Sequence, residues 1–210
     1  MSRLINEKID MNKIIQNSLR TAKSYTEYKE LILNLLKEDK STGLNQNDNL
    51  LKFTKLNNTR MKRLDKQTKL SQIAKKKALS IQKDFTWLVL TESWCGDAAQ
   101  TLPLINKFAE TTKKINLKVV LRDSNEELMN KFLTNGSKSI PKLIVIEKNT
   151  NKVVGSWGPR SKFATKMVNE YKEKHGNLSA EFKKELQHWY HSDKGVNIEK
   201  EMVELLDYMK

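Results

Sequence analysis

The chain has little of what most small-site chemistry uses. It holds one cysteine, Cys95, so no disulfide can close within it, and a lone thiol cannot cycle a dithiol/disulfide pair by itself. This excludes a disulfide-stapled secreted domain. Seven glycines leave scant material for a phosphate-cradling loop, and no phosphate loop, dinucleotide fingerprint or Gly-x-Ser-x-Gly turn is present. No cofactor is therefore expected. No apolar run approaches the ~18 residues of a membrane helix, and Met1–Lys8 lacks a hydrophobic signal segment. A cytoplasmic protein with no membrane partner is the expectation. Acidic residues are also in deficit, with 25 Asp and Glu against 39 Lys and Arg, a formal net charge of +14.

That charge is unevenly placed. Residues 1–84 carry a net +10 (19 basic, 9 acidic), residues 85–174 +6 (15 and 9) and residues 175–210 −2 (5 and 7). Between Lys52 and Lys83 eleven Lys or Arg meet one acid, Asp65. Such a stretch reads either as a polyanion patch or as the solvated face of a helix. Lys dominates over Arg, few aromatics are interleaved and no reading motif appears. A nucleic-acid partner is not expected.

The first segment reads as helical. Ser24-Tyr25-Thr26-Glu27 is a capping box, followed by the stripe Tyr25, Tyr28, Leu31, Ile32, Leu35 and Leu36, with Gly43 ending the element. A second long helix is expected from about 48 to 79, on a narrow stripe of Leu56, Met61, Leu64, Leu70 and Ile73. Residues 11–22 suit a short helix.

The pattern changes at Phe85. Residues 85–90 and 117–121 are short buried-strand runs. A helix from 98 to 112 carries Pro103, and Ser124-Asn125-Glu126-Glu127 opens another that Gly136 would close. Residues 142–147 and 152–157 form a hairpin about Asn149-Thr150-Asn151, then a helix spans 161–174. The order β-α-β-α-β-β-α implies an α/β fold with a mixed central sheet. Helices at about 179–190 and 197–209 follow. Three segments are expected: a helical extension 1–84, an α/β domain 85–174 and a helical segment 175–210.

Four features resemble the thioredoxin superfamily, in order and spacing. Trp94-Cys95-Gly96-Asp97 follows the first strand and opens a helix. Pro103 lies eight residues after the cysteine. Ser139-Ile140-Pro141 precedes a strand, and Trp157-Gly158 ends the last one. With the helical extension and Trp-Cys-Gly-Asp-Ala, the whole is similar to a bacterial thioredoxin-like subgroup. The resemblance implies a three-layer α/β/α core, a cis peptide bond at Ile140–Pro141, and Cys95 as nucleophile. It also implies substrate binding by Trp94, Gly96, Asp97, Ile140 and Pro141.

A thiol at a helix N-terminus faces unpaired amides and the positive dipole end, which can lower its pKa from ~8.5 toward neutrality. Asp97 acts the other way, raising it, unless the carboxylate caps the helix or pairs with a lysine. Ala98 stands where thioredoxins keep their resolving cysteine, and Val89 where they bury an acid. Glu92 could replace that acid or lie exposed in a loop. The Thr-x-x-Cys pattern of peroxiredoxins is absent. His175, His188 and His191 make no metal motif. Two functions remain open. One is monothiol redox work, in which a protein or low-molecular-weight thiol or disulfide forms a mixed disulfide with Cys95. The other is a non-redox scaffold using the Trp94/Pro141 groove.

Overall fold

The computed structural model describes residues 2–209, with the side chains of 11–209. The ends of the expected segments at Met1 and Lys210, and the side chains of Met1–Lys8, lie outside the described residues. Four helices come first: α1 (Ser2–Thr21), α2 (Tyr25–Lys37), α3 (Asp48–Gln67) and α4 (Gln72–Leu79). Then follow β1 (Phe85–Thr91), α5 (Gly96–Thr111), β2 (Ile115–Leu121), α6 (Glu126–Lys131), β3 (Lys142–Glu147) and β4 (Lys152–Trp157). Helices α7 (Lys162–His175), α8 (Ala180–Asp193) and α9 (Val196–Leu206) and a 3₁₀ turn (Asp207–Met209) complete the chain.

The sheet order is β2-β1-β3-β4. β1 pairs parallel to β2 and antiparallel to β3, and β3 pairs antiparallel to β4 with an irregularity between Val145 and Ile146. The protein is thus a three-layer α/β/α fold on a mixed sheet. Every residue of β1 is buried. A strand paired on both edges and covered on both faces is mostly apolar, which is why 85–91 shows no apolar/charged alternation, Thr86 and Thr91 being its polar members. Trp87 anchors one face: its ring lies 6.2 Å from Phe108 of α5, and its Nε1 donates to Met209 Sδ at 3.4 Å. The last turn of the chain is therefore fixed to the central strand. Helix α3 packs along α5, and α9 packs against α4, α5 and β4.

Several local expectations are corrected. The 48–79 helix is two helices, because the Ser71 side chain accepts from the Ala74 amide and starts α4 afresh. The buried face of α3 is Thr54, Asn57 and Met61, while Leu56 and Ile73 are exposed. Polar side chains turn inward there because Ser93 offers Thr54 and Asn57 hydrogen bonds. Asn125 makes no side-chain cap; its Nδ2 donates to Leu121 O, and α6 ends at Lys131. Gly136 belongs to a later turn, inside the Thr134–Ser137 bridge. Gly43 ends no helix: α2 stops at Lys37, and Gly43 lies against Glu92, Trp94 and Asp123. In the lysine-rich stretch, Lys55 pairs with Asp39 at 2.8 Å and Lys83 with Glu147 at 3.0 Å. Lys77 pairs with Asp207. The acids absent from the local sequence come from elsewhere in the fold. Among the described residues no helix is long and apolar enough to cross a membrane.

Candidate active site

Cys95 caps α5. Its Sγ accepts from the Ala98 amide at 3.5 Å and donates to the Ile140 carbonyl at 3.3 Å. The Ile140–Pro141 peptide bond is cis, and both residues are buried. The helix N-terminus after β1 and the turn before β3 meet because those strands are neighbours in the sheet. Gly158 closes the same corner: a Cβ there would lie 2.2 Å from the Pro141 carbonyl oxygen, so only glycine fits. The next peptide bond, Gly158–Pro159, is also cis, and the chain then delivers Arg160 to the site.

Of the two opposed influences expected on the thiol, the lowering one does not prevail. Cys95 is 8% exposed. Burial, seconded by the Asp97 charge, pushes the thiol up to about 12 against the Ala98 amide and Arg160. The dipole and one long amide contact do not offset the loss of water. Asp97 is itself buried and pairs with an arginine rather than a lysine. Arg160 Nη2 reaches its Oδ2 at 2.7 Å, and the Tyr190 hydroxyl donates to Oδ1 at 3.0 Å. Burial lifts the Asp97 carboxyl, with Arg160 pulling it down.

Gly96 begins α5 beneath two side chains. A Cβ on it would lie 3.4 Å from Gln187 Nε2 of α8 and 3.7 Å from Arg60 Nη1 of α3. The N-terminal and C-terminal helices therefore both cover the site. Gln187 is held by Gln100, whose Nε2 donates to its Oε1 at 2.8 Å. Arg60 is held by Asn57 at 3.0 Å, and Asn57 Nδ2 donates to the Ser93 carbonyl at 2.9 Å. The Ser93 hydroxyl meets Thr54 Oγ1 at 2.9 Å and accepts from the Thr42 amide at 3.0 Å. This hydroxyl cluster is what the polar face of α3 buries.

Trp94, next to Cys95, is half-buried. Its Nε1 donates to Thr42 O at 3.2 Å, and Arg122 lies 4.9 Å over its ring. Glu92 is not exposed in a loop; it is fully buried. Its Oε1 accepts from the Asp123 amide at 3.0 Å, while Oε2 has no partner. Burial raises its pKa. Val89 is fully buried in β1. Among the described residues no three His, Cys, Asp or Glu side chains gather to hold a metal ion. His188 and His191 lie exposed on α8.

A thiol capping a helix beside an X-Pro turn, on a β2-β1-β3-β4 mixed sheet, defines a thioredoxin-like domain. The sequence model of the family described as Thioredoxin matches residues 43–172, and the chain belongs to that family. The match includes Gly43 and α3 as well as the sheet. A crystal structure of a protein of unknown function from Pseudomonas aeruginosa is similar at a TM-score of 0.54 and 13% identity, covering 88% of this chain and 98% of that one. It shares the fold. An HIV epitope scaffold is similar at a TM-score of 0.47 and 16% identity, over 68% of this chain and 81% of that one. No curated protein matches.

Sequence reasoning missed Arg160, Tyr190, Gln187 and Arg60. A buried carboxylate demands a countercharge, so Asp97 implied a cation, but nothing in the local sequence says which of the 39 Lys and Arg supplies it.

Proposed function

We propose that this protein carries out monothiol redox chemistry through mixed disulfides at Cys95. The observation that carries the reading is the 3.3 Å approach of Sγ to the Ile140 carbonyl, which sets the sulfur against the proline-turn backbone. In the reaction the Cys95 thiol gives up its proton to solvent, and the thiolate attacks one sulfur of a disulfide R–S–S–R′. The Cys95–S–S–R bond forms as the S–S bond breaks, and R′S⁻ leaves to take up a proton. Ala98 supplies no second thiol, so release requires an external thiol. That thiol re-forms Cys95–SH and leaves as the mixed disulfide with R. The classical dithiol cycle is closed to this chain. The partner is a protein or a low-molecular-weight thiol or disulfide.

A second reading has its own support. A buried thiol with its pKa pushed up to about 12 suits a structural residue, and a non-redox scaffold needs no more of it. Incubation with oxidised glutathione at pH 8, followed by intact mass, separates the two. The redox reading expects one glutathionyl adduct on the folded protein, absent in Cys95→Ser and reversed by reduced glutathione. An unfolded chain that forms the adduct while the folded one stays unmodified over hours would leave the scaffold reading.

A further inference from the structure

We propose that helix α8 is a lid over Cys95, and that the thiol meets its partners only when α8 lifts from the start of α5. The proposal rests on the reading of Cys95 as a working thiol. Two polar side chains of α8 make its share of the cover, across from Arg60 of α3. Gln187 stands over Gly96, held by Gln100 at 2.8 Å, and Tyr190 donates to Asp97 at 3.0 Å. Both touch the first turn of α5, the turn that Cys95 caps.

The two C-terminal helices are anchored differently. From α9 onward Ile198, Met202, Leu205, Leu206 and Met209 are buried. Glu201 accepts from Trp157 Nε1 and from the Lys162 amide, both at 2.6 Å. Met209 also meets Trp87 of the central strand. Helix α8 buries only Phe182, Leu186 and Tyr190, one stripe at i, i+4 and i+8. Its remaining aromatic contacts are to α7. Phe182 stacks on Tyr171 at 4.1 Å, and Trp189 stacks on the half-exposed Phe163 at 5.3 Å.

Each end of α8 is a joint of positive φ. Gly176 before it and Gly195 after it stand at φ +74° and +84°, and Lys194 is left-handed at φ +53°. A segment with one buried stripe between two such joints belongs to the low-stability end of a domain, whereas α9 is tied to its core. Hinges of this kind absorb the backbone change of a moving lid. Lifting α8 removes Gln187 from above Gly96 and opens Asp97 to water. It leaves α9 seated on β4.

Alkylation of Cys95 by iodoacetamide under native conditions tests the lid without any disulfide chemistry. Leu186→Ala weakens the α8 stripe, and Met202→Ala removes comparable apolar volume from α9. The lid predicts a rate at least tenfold above the parent protein for Leu186→Ala and within twofold of it for Met202→Ala. Gln187→Ala, a milder change that leaves the apolar stripe whole, should raise the rate about threefold. Equal acceleration by Leu186→Ala and Met202→Ala would mean that Cys95 is reached by global unfolding, and the lid is overturned. An unchanged rate in Gln187→Ala together with Leu186→Ala overturns it too. Glutathionylation of the same variants keeps the two readings apart. Faster alkylation of Leu186→Ala with no adduct upholds the lid and removes the redox function. An adduct forming equally fast in the parent and Leu186→Ala upholds the function and removes the lid.

Discussion

Glu92 and Asp97 stand three residues before and two residues after Cys95, both shut off from water, yet only Asp97 has a countercharge in contact. Arg160 and Tyr190 converge on Asp97 from the loop after β4 and from α8. Its charge therefore ties three parts of the chain together at the thiol, and the same charge helps to hold the thiol up. Glu92 has one amide on Oε1 and nothing on Oε2. The nearby Arg122 is spent on Asp123, at 2.8 Å, and on the Trp94 ring. A buried acid with no countercharge relieves its desolvation by holding its proton. Around Cys95, then, one acid is tied to a countercharge and the other is a filler packed without one, beside the hydroxyls of Thr42 and Ser93.

Removing the tie should have the largest effect. Asp97→Ala leaves the Arg160 guanidinium, whose Nε already lacks a partner, without its anion. Breaking a buried pair costs roughly 3–5 kcal/mol, and the lower end applies because Arg160 keeps about a fifth of its side-chain surface in water, 21%. A loss of about 3 kcal/mol corresponds to a melting point lower by roughly 6–12 °C in a chain of this size. Urea unfolding checks it. Arg160→Met added to Asp97→Ala should recover part of the loss. No recovery would mean that the pair is not what Asp97 stabilises.

Much of the fold was legible because its signals are local. The apolar runs at 85–90 and 142–147, the hairpin turn at 149–151 and the Ser24 cap each follow from a few adjacent side chains. The long helix expected over 48–79 failed for a local reason, the Ser71 cap, and its expected apolar stripe for a distant one. Thr54 and Asn57 face inward because Ser93, more than thirty residues on, offers them hydrogen bonds. The site divides in the same way. Cys95, Gly96 and Pro141 are marked by motif. Arg160, Tyr190 and Gln187 reach the thiol through strand order and through the return of α8. The burial of Glu92 depends on the loop around Gly43 closing over it. Spacing along the chain holds none of that.

A middle-sized effect separates the two acids by their action on the sulfur. Asp97 raises the Cys95 pKa, whereas the Glu92 carboxyl is held by the Asp123 amide. Asp97→Asn keeps an acceptor for Tyr190 and removes the negative charge, leaving Arg160 to favour thiolate. The apparent pKa of Cys95 alkylation should fall in Asp97→Asn, and the rate at pH 8 should rise about three- to tenfold, since one pKa unit is a factor of ten in thiolate. Glu92→Gln should leave that profile in place. A shift of the profile by Glu92→Gln as large as that by Asp97→Asn would erase the distinction between tie and filler.

The smallest effect is on stability at Glu92, and its sign is opposite to that at Asp97. The folded state raises the pKa of Glu92, so it binds that proton more tightly than the unfolded chain does. The resulting stability is fully present below the unfolded value, near ~4.3, and is lost as pH rises through the folded value. At neutral pH the parent protein therefore pays to keep Glu92 buried, and Glu92→Gln does not. The amide keeps an acceptor for the Asp123 N–H, and its NH₂ places donors where Oε2 has no partner. Glu92→Gln is expected to gain about 1 kcal/mol at pH 7, roughly 2–4 °C in melting point. The gain should be much smaller at pH 4, just below the unfolded value, where the proton is largely bound in both states of the parent protein. Melting curves at the two pH values decide it. A gain at pH 4 equal to that at pH 7 would trace to packing instead of ionisation, and a loss at pH 7 would mean that Glu92 is held by a countercharge after all.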